Sequence, residues 1–371
     1  MDVRMTDLQL HYGDFHAVKD VTLSVDDGSA LVLLGPSGCG KTSTMRTIAG
    51  LETPSGGRIT IGGQPMFDAS TRTNVAPNKR NVGMVFQSYA VWPHRTVREN
   101  VEFPLRVRRT ETAARRRRGD EILALTGLTE YADRGASRLS GGQMQRVALA
   151  RSLAMNPSVL LLDEPLSNLD ALLRENLRNE LRRIQQEAGI TSVYVTHDQA
   201  EALALADRIA MMRAGRVVQT GTPAELFENP VDKDAARFMG FENILEIATG
   251  ETPVRLAGRY VVPHSDQVAD AVTDHETDGE GTPAQGREYL CVRAENVTLT
   301  AADDGGTGDT EAEISVVTYQ GRSVEYDCVI DGDTTIRVKV GGSAARFSRG
   351  DRVRLAVDVE AARILGGGDG A

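Results

Sequence analysis

Three short runs of this chain carry residue types whose spacing could do chemistry on phosphates. The first, Gly35-Pro36-Ser37-Gly38-Cys39-Gly40-Lys41-Thr42, fits the pattern G-x-x-x-x-G-K-[ST] and directly follows the apolar run 31–34. In such a run the glycines let backbone N–H groups converge on phosphate oxygens, and the helix that follows presents its positive end. Lys41 would neutralise charge on the β- and γ-phosphates, and the Thr42 hydroxyl could ligate Mg²⁺. A chance glycine-rich turn is the competing reading, and the strand before it and the Lys-Thr pair within it speak against that. The second run is Asp163-Glu164, at the end of the apolar stretch 159–162. Two carboxylates there stand at the carboxyl edge of a parallel sheet, where α/β folds hold their ligands. Asp163 is expected in the Mg²⁺ shell and Glu164 is expected to polarise an attacking water, because phosphoryl transfer depends mainly on positioning and electrostatics. The third run, Leu139-Ser140-Gly141-Gly142-Gln143, precedes a stretch of helical character. Alone, it could be a helix start capped by Ser140 and nothing more.

These side chains need a scaffold, and the apolar pattern supplies one. Up to about residue 235, short apolar runs at 31–34, 82–86, 159–162, 192–195 and 209–212 alternate with helical patterns. That rhythm predicts an α/β domain with a largely parallel sheet. Runs 8–12, 19–25 and 58–61 predict an antiparallel β portion joined to the main sheet, and residues 88–137 read as an inserted, Arg-rich helical subdomain. From about residue 243 the texture changes to short alternating strands at 255–262, 288–292, 323–330, 335–340 and 352–357, which predicts a small all-β domain of OB type. The acidic, glycine-rich stretches 274–286 and 303–310 read as loops or linkers. The expected division is thus 1–240 and 241–371.

Composition excludes several classes. With 371 residues the chain can build more than one core. No stretch approaches the ~18 consecutive apolar residues that cross a bilayer. The start, Met1-Asp2-Val3-Arg4-Met5, lacks a secretion signal, so a cytoplasmic location is expected. Cys39, Cys291 and Cys328 show neither metal-ligand spacing nor a disulfide framework. Residues 1–240 carry 30 Lys+Arg against 28 Asp+Glu, whereas 241–371 carry 12 against 24. An acidic tail domain argues against nucleic acid as a partner.

The run Leu139-Ser140-Gly141-Gly142-Gln143 is where the chain resembles ABC-transporter ATPases, whose signature is LSGGQ. The remaining elements of that family follow in order over essentially all of residues 1–240. Tyr12 matches the aromatic residue that stacks on adenine and Gln87 the loop glutamine joining catalytic and helical subdomains. Ser167-Asn168-Leu169-Asp170 matches the dimer-contacting loop and His197 the switch histidine. Each has a bland alternative: a packed edge aromatic, a surface glutamine, a helix cap at Asp170, a satisfied turn histidine. Their joint order outweighs these. The resemblance implies a P-loop NTPase cassette that binds ATP and Mg²⁺. Its nucleotide contacts would be Tyr12, Gly35, Pro36, Ser37, Gly38, Cys39, Gly40, Lys41, Thr42 and Ser43, with Ser140, Gly141, Gly142, Gln143 and Asp170. Glu164, His197 and Gln87 would be catalytic, and Thr42, Gln87 and Asp163 would hold the metal.

In such ATPases the phosphate loop of one subunit and the signature loop of its partner enclose one nucleotide, so a homodimer is implied. ATP binding would close the dimer, and hydrolysis with phosphate loss would reopen it. The segment Ser88-Tyr89-Ala90-Val91-Trp92-Pro93-His94 surrounds the chain's only Trp and suits a groove for a permease helix, though Trp92 could equally be core of the helical subdomain. The run 115–118 reads as a solvated helix face. The C-terminal part resembles the transport-associated OB domain of importer ATPases, through Cys291-Val292-Arg293-Ala294-Glu295-Asn296-Val297 and Tyr319-Gln320-Gly321; that family usually has Pro where Ala294 stands. The implied function is the ATP-hydrolysing subunit of an importer at the cytoplasmic membrane face, served by permease subunits and, indirectly, an extracytoplasmic solute-binding protein. A soluble ABC ATPase, an exporter subunit, and an OB-type binding module regulated by its ATPase are the rivals. The wording around Trp92 lies nearer iron, polyamine or phosphonate importers than sugar ones.

Overall fold

In a computed structural model, which describes residues 1–247, 254–256, 260–262, 287–302, 310–330, 332–342, 346–358 and 360–367, the chain forms two units, Met1–Leu226 and Phe227–Ala371. The first begins with strands β1 (Val3–Tyr12), β2 (Phe15–Val25) and β3 (Ala30–Leu34), helix α1 (Lys41–Ala49), and strands β4 (Gly56–Ile61), β5 (Gln64–Asp68), β6 (Thr73–Asn74) and β7 (Val82–Val85). It continues with α2 (Val97–Val107), α3 (Thr112–Leu125), α4 (Gly141–Ala154), β8 (Val159–Asp163), α5 (Ala171–Ala188), β9 (Thr191–Thr196), α6 (Gln199–Leu205), β10 (Arg208–Arg213) and β11 (Arg216–Gly221), after which α7 (Pro223–Glu228) spans the division.

The main sheet has six strands in the order β11-β10-β3-β9-β8-β7. Strands β3, β8 and β9 are buried at every position, as expected of parallel strands covered on both faces. β1 and β2 instead alternate buried with exposed residues, so only one of their faces is apolar. The sequence reading joined these strands to the main sheet; they form a separate sheet, β2-β1-β4-β5-β6. What connects the two sheets is packing. Val3, Met5 and Leu8 share one core cluster with Met45 and Ile48 of α1 and with Leu31, Leu33, Val193 and Val195 of the main sheet.

Helix α2 starts at a capping box in which Glu99 N–H donates to Thr96 Oγ1 and Thr96 N–H donates to Glu99 Oε2. On α3, Arg115 pairs with Glu102, Arg116 with Asp120, and Arg117 and Arg118 with Glu121. The arginine run is therefore an ion-paired helix face. Among the described residues, no helix is long and apolar enough to cross a membrane.

Arg80, 1% exposed, fixes the end of α1. Its guanidinium donates to the carbonyls of Thr47 (2.7 Å) and Ile48 (3.0 Å), which terminate the helix, and also to Val75 O and Asn74 Oδ1. A cation on the last carbonyls of a helix stabilises that terminus. Arg80→Met should therefore lower unfolding free energy by about 3 kcal/mol, because several buried carbonyls lose a charged donor at once. A urea titration monitoring the first unit measures it, and a loss below about 1 kcal/mol would contradict the role.

The second unit holds α8 (Lys233–Phe238) and strands β12 (Asn243–Ile247), β13 (Val254–Leu256), β14 (Tyr260–Val262), β15 (Glu288–Val292), β16 (Val297–Ala301), β17 (Thr310–Tyr319), β18 (Ser323–Ile330), β19 (Thr334–Gly341), β20 (Arg352–Val357) and β21 (Arg363–Gly366). The strands make two antiparallel sheets, β14-β13-β12-β15-β21 and β16-β20-β17-β18-β19, and this β portion is of OB type. The expected strand 255–262 is two paired strands, Val254–Leu256 and Tyr260–Val262. Of the expected linkers, 274–286 and 303–309 lie outside the described residues. The division falls before the expected Gly240. Arg293 draws the intervening residues into the β unit, with its guanidinium 3.7 Å from the Phe227 ring and 4.0 Å from the Phe241 ring while it donates to Phe227 O and Met239 O.

Candidate functional site

Neighbouring strands β3, β9, β8 and β7 run parallel, so their carboxyl ends deliver four loops to one sheet edge. β3 leads into Gly35–Thr42, β9 into His197, β8 into Glu164 and β7 toward Gln87. This is where a parallel α/β sheet holds ligands.

The loop after β3 depends on glycine at two close approaches. Gly35 has φ 154° and a Cβ there would lie 2.2 Å from Met212 O; Gly40 has φ 101° and a Cβ there would lie 2.6 Å from Ala17 O. Any larger residue would push the loop away from the strand. Lys41 is 4% exposed and donates Nζ to Gly35 O and Pro36 O, both at 2.8 Å, so its ammonium sits inside the loop's curve. Burial raises the pKa of the Cys39 thiol, outweighing the nearby Lys41 ammonium. The loop therefore carries a thiol and not a thiolate. Tyr12 is 44% exposed and its hydroxyl donates to Ser43 Oγ at 3.4 Å, which brings an open aromatic face to the rim.

Thr42 donates Oγ1 to Asp163 Oδ1 at 2.9 Å, and the Arg46 guanidinium stands 4.0 Å from the other carboxylate oxygen. Burial pushes the Asp163 carboxyl above its ordinary value, against the lowering effect of the Thr42 hydrogen bond. A buried carboxylate beside a hydroxyl is a hard-oxygen pair of the kind Mg²⁺ takes, and a cation there would favour the ionised form. The residues thus fit the metal. Arg46 escaped the sequence reading, although its place one turn beyond Thr42 on α1 was a usable signal.

Glu164 sits at φ 43°, in the left-handed region, a conformation costing about 1–3 kcal/mol for a non-glycine residue. Its backbone is held by N–H donation to Val195 O (3.0 Å), and its carbonyl accepts from Ser167 Oγ (3.0 Å). Its carboxylate Oε1 lies 3.2 Å from His197 Nδ1. Gln87 donates Nε2 to Ser167 Oγ at 3.3 Å, and its carbonyl accepts from Asn168 at 2.9 Å. The Gln87 amide is thereby bound to the loop after Glu164 and not to the Thr42–Asp163 pair.

Ser140 caps α4: Gln143 N–H donates to Ser140 Oγ and Ser140 N–H to Gln143 Oε1. Asp170 caps α5 through Leu173 N–H at 2.9 Å. The bland readings of both residues are therefore real features of the fold, compatible with a further contact to a ligand. A Cβ at Gly141 would lie 3.2 Å from Leu169, and one at Gly142 3.0 Å from Leu177. The signature turn thus packs on the loop and helix that follow Asp163. Among the described residues no hydrogen bond joins Ser140–Gln143 to the loop 35–42.

With this geometry in hand, the similarities to known proteins are specific. An ABC transporter family model matches residues 18–167 and a TOBE domain model matches residues 290–365. The chain is similar to the Fe(3+) ions import ATP-binding protein FbpC of Rhizobium etli, 42% identical over 337 residues covering 90% of this chain and 89% of that protein. It is also similar to the trehalose/maltose import ATP-binding protein MalK of Thermococcus litoralis, 48% identical over 238 residues covering 64% of each. Among solved structures, cbiO1 of Clostridium perfringens, part of an ABC transporter complex, aligns with TM-score 0.56 at 30% identity, covering 63% of this chain and 92% of that one. A dimeric ATP-binding cassette in a post-hydrolysis state bound to ADP and Pi aligns with TM-score 0.51 at 32% identity, covering 60% and 98%.

Proposed function

The chain belongs to the ABC transporter ATP-binding family, and from that premise we propose that it hydrolyses ATP as the energising subunit of an importer, at the cytoplasmic face of a membrane and in a dimer bound to permease subunits. The observation that carries this is the convergence of Lys41, Asp163, Glu164 and His197 at one edge of the parallel sheet.

In this reading the backbone of Gly35–Gly40 and the Lys41 ammonium bind the β- and γ-phosphates, and Tyr12 stacks on the adenine. The Thr42 hydroxyl and the Asp163 carboxylate, with the Gln87 amide oxygen, would hold Mg²⁺, which when bound neutralises phosphate charge. Glu164 accepts a hydrogen bond from the attacking water and orients it in line. His197, already beside the Glu164 carboxylate, holds that carboxylate in place and reaches the γ-phosphate. Strain at Glu164 fits a side chain fixed for its task before substrate arrives.

The named relatives are import ATP-binding proteins, one for Fe(3+) ions and the other for trehalose/maltose, and this chain is similar to both. The solute is accordingly selected by the permease and binding protein and not by this chain. Purification of the tagged full-length chain from membranes of its own host tests the reading. The expected result is a polytopic membrane protein in stoichiometric complex, with ATPase activity that rises in the presence of the transported solute and its binding protein. Recovery of the chain only from the soluble fraction, with ATPase indifferent to membranes, would sink it.

A further inference from the structure

Just past Gln87, two adjacent residues hold a backbone that side chains resist. Tyr89 has φ 60° and Ala90 φ 50°, in the left-handed region that non-glycine residues seldom occupy. The kink is tight: Tyr89 N–H donates to Phe86 O at 2.9 Å, and Ala90 N–H donates to Ser88 O at 2.7 Å. One guanidinium takes both carbonyls of the strained pair. Arg151, on α4, donates Nη1 to Ala90 O at 2.6 Å and Nη2 to Tyr89 O at 3.1 Å. The same guanidinium lies 4.8 Å from the centroid of the Trp92 ring, which also packs on Phe103 at 4.3 Å. Among the described residues Arg151 has no carboxylate in ion-pair range, so its charge is given to the kink and the ring.

The kink lies between two anchorages. Upstream, Gln87 is bound to Ser167 and Asn168, in the loop that follows Glu164. Downstream, Asn100 of α2 clamps the Trp92 backbone, accepting from its N–H at 2.9 Å and donating to its carbonyl at 3.2 Å. Residues 88–91 are therefore a short connection from the catalytic sheet edge to the helical layer, and Arg151 grips its middle.

We propose that Arg151 is a positioning residue that latches the left-handed Tyr89–Ala90 kink to helix α4, so that nucleotide-driven movement of Gln87 passes to Trp92 and the helices. The proposal rests on the reading of Gln87 as a residue facing the nucleotide. Without the latch, both residues gain by relaxing out of the left-handed region, and the connection absorbs movement at its upstream end. A planar fork suits the task because it fixes two carbonyls in one plane, which a lysine ammonium cannot do.

The chain's single tryptophan is the reporter. In the full-length protein, Mg-ATP should change Trp92 emission. In Arg151→Met the ATP-dependent change should fall at least about fivefold while ATP affinity stays within about twofold, and Arg151→Lys should lie between. Adding Ala90→Gly to Arg151→Met should recover about half of the response or more, because glycine holds a positive φ without a latch. A role confined to stability would not be rescued in this way. A full emission response in Arg151→Met, no response in the wild type, or no rescue by Ala90→Gly would each overturn the proposal. If Arg151→Met does not fold, a wild-type response in Arg151→Lys overturns it. Gln87→Ala separates the underlying reading: a normal response there, with the response lost in Arg151→Met, removes Gln87 as the nucleotide sensor and leaves the latch standing.

Discussion

Glu164→Gln is expected to lower ATP turnover by about 10²- to 10⁴-fold while leaving ATP affinity within about threefold of the wild type. The amide keeps the shape of the carboxylate and can still hydrogen-bond His197, now 3.2 Å from Glu164 Oε1. What it loses is the negative charge that polarises a water. Phosphate binding is assigned to other groups, the Gly35–Gly40 amides and Lys41, and the substitution touches none of them. The backbone should also hold, since Val195 O and Ser167 Oγ bind Glu164 through main-chain atoms and tolerate either side chain. Because hydrolysis reopens the dimer in this scheme, ATP should also accumulate the variant as a dimer. Steady-state kcat beside equilibrium ATP binding makes the test. A kcat within about tenfold of the wild type would take the water-polarising role from Glu164.

The residues gathered at the carboxyl edge of the sheet, to which binding and hydrolysis are assigned by proposal, were legible in the sequence because such chemistry restricts residue type. Only glycine suits Gly35 and Gly40, where a Cβ would meet a carbonyl oxygen, so the loop announces itself by composition. Asp163 and Glu164 were placed because a buried strand must end where charges begin. The supports were less legible. Arg80 and Arg151 are arginines like any on a surface, and apolar periodicity carries no sign that their partners are main-chain carbonyls. Left-handed conformations at Tyr89, Ala90 and Glu164 carry no glycine to mark them. Trp92 had been open between partner groove and core; it is half-buried, against Phe103 and under Arg151. Sheet membership was misread at β1 and β2 for a related reason: a one-faced apolar strand tells which side is buried, and not which strands it bonds.

If, as the proposed dimer implies, a complete site takes one element from each of two chains, Ser140→Arg and Lys41→Ala should each abolish ATPase activity when alone, yet recover it when mixed. The signature turn is exposed at Ser140 and faces Leu169 and Leu177 of its own chain through Gly141 and Gly142, with no hydrogen bond to the 35–42 loop among the described residues. Helix α4 opens with those two glycines, and first-turn N–H groups are donors without intrahelical partners, suited to an anion. If the anion is held by the loop of another chain, closure of a dimer completes it. Ser140→Arg fills that space with a long side chain and loses the cap, a cost of about 1 kcal/mol that should leave the fold intact. Lys41→Ala empties the loop of its charge. A mixed dimer then has one site with both defects and one with neither. Random pairing at equal ratio makes half of the dimers mixed, so activity should return to about one quarter of the wild type if the sites act independently. Activity plotted against mixing ratio should peak at equality and vanish at both ends. Dilution adds an independent arm: specific activity should fall as the dimer dissociates. A chain held monomeric that hydrolyses ATP at the undiluted rate would mean that Lys41, Asp163 and Glu164 suffice within one subunit, and the shared site would have to be abandoned.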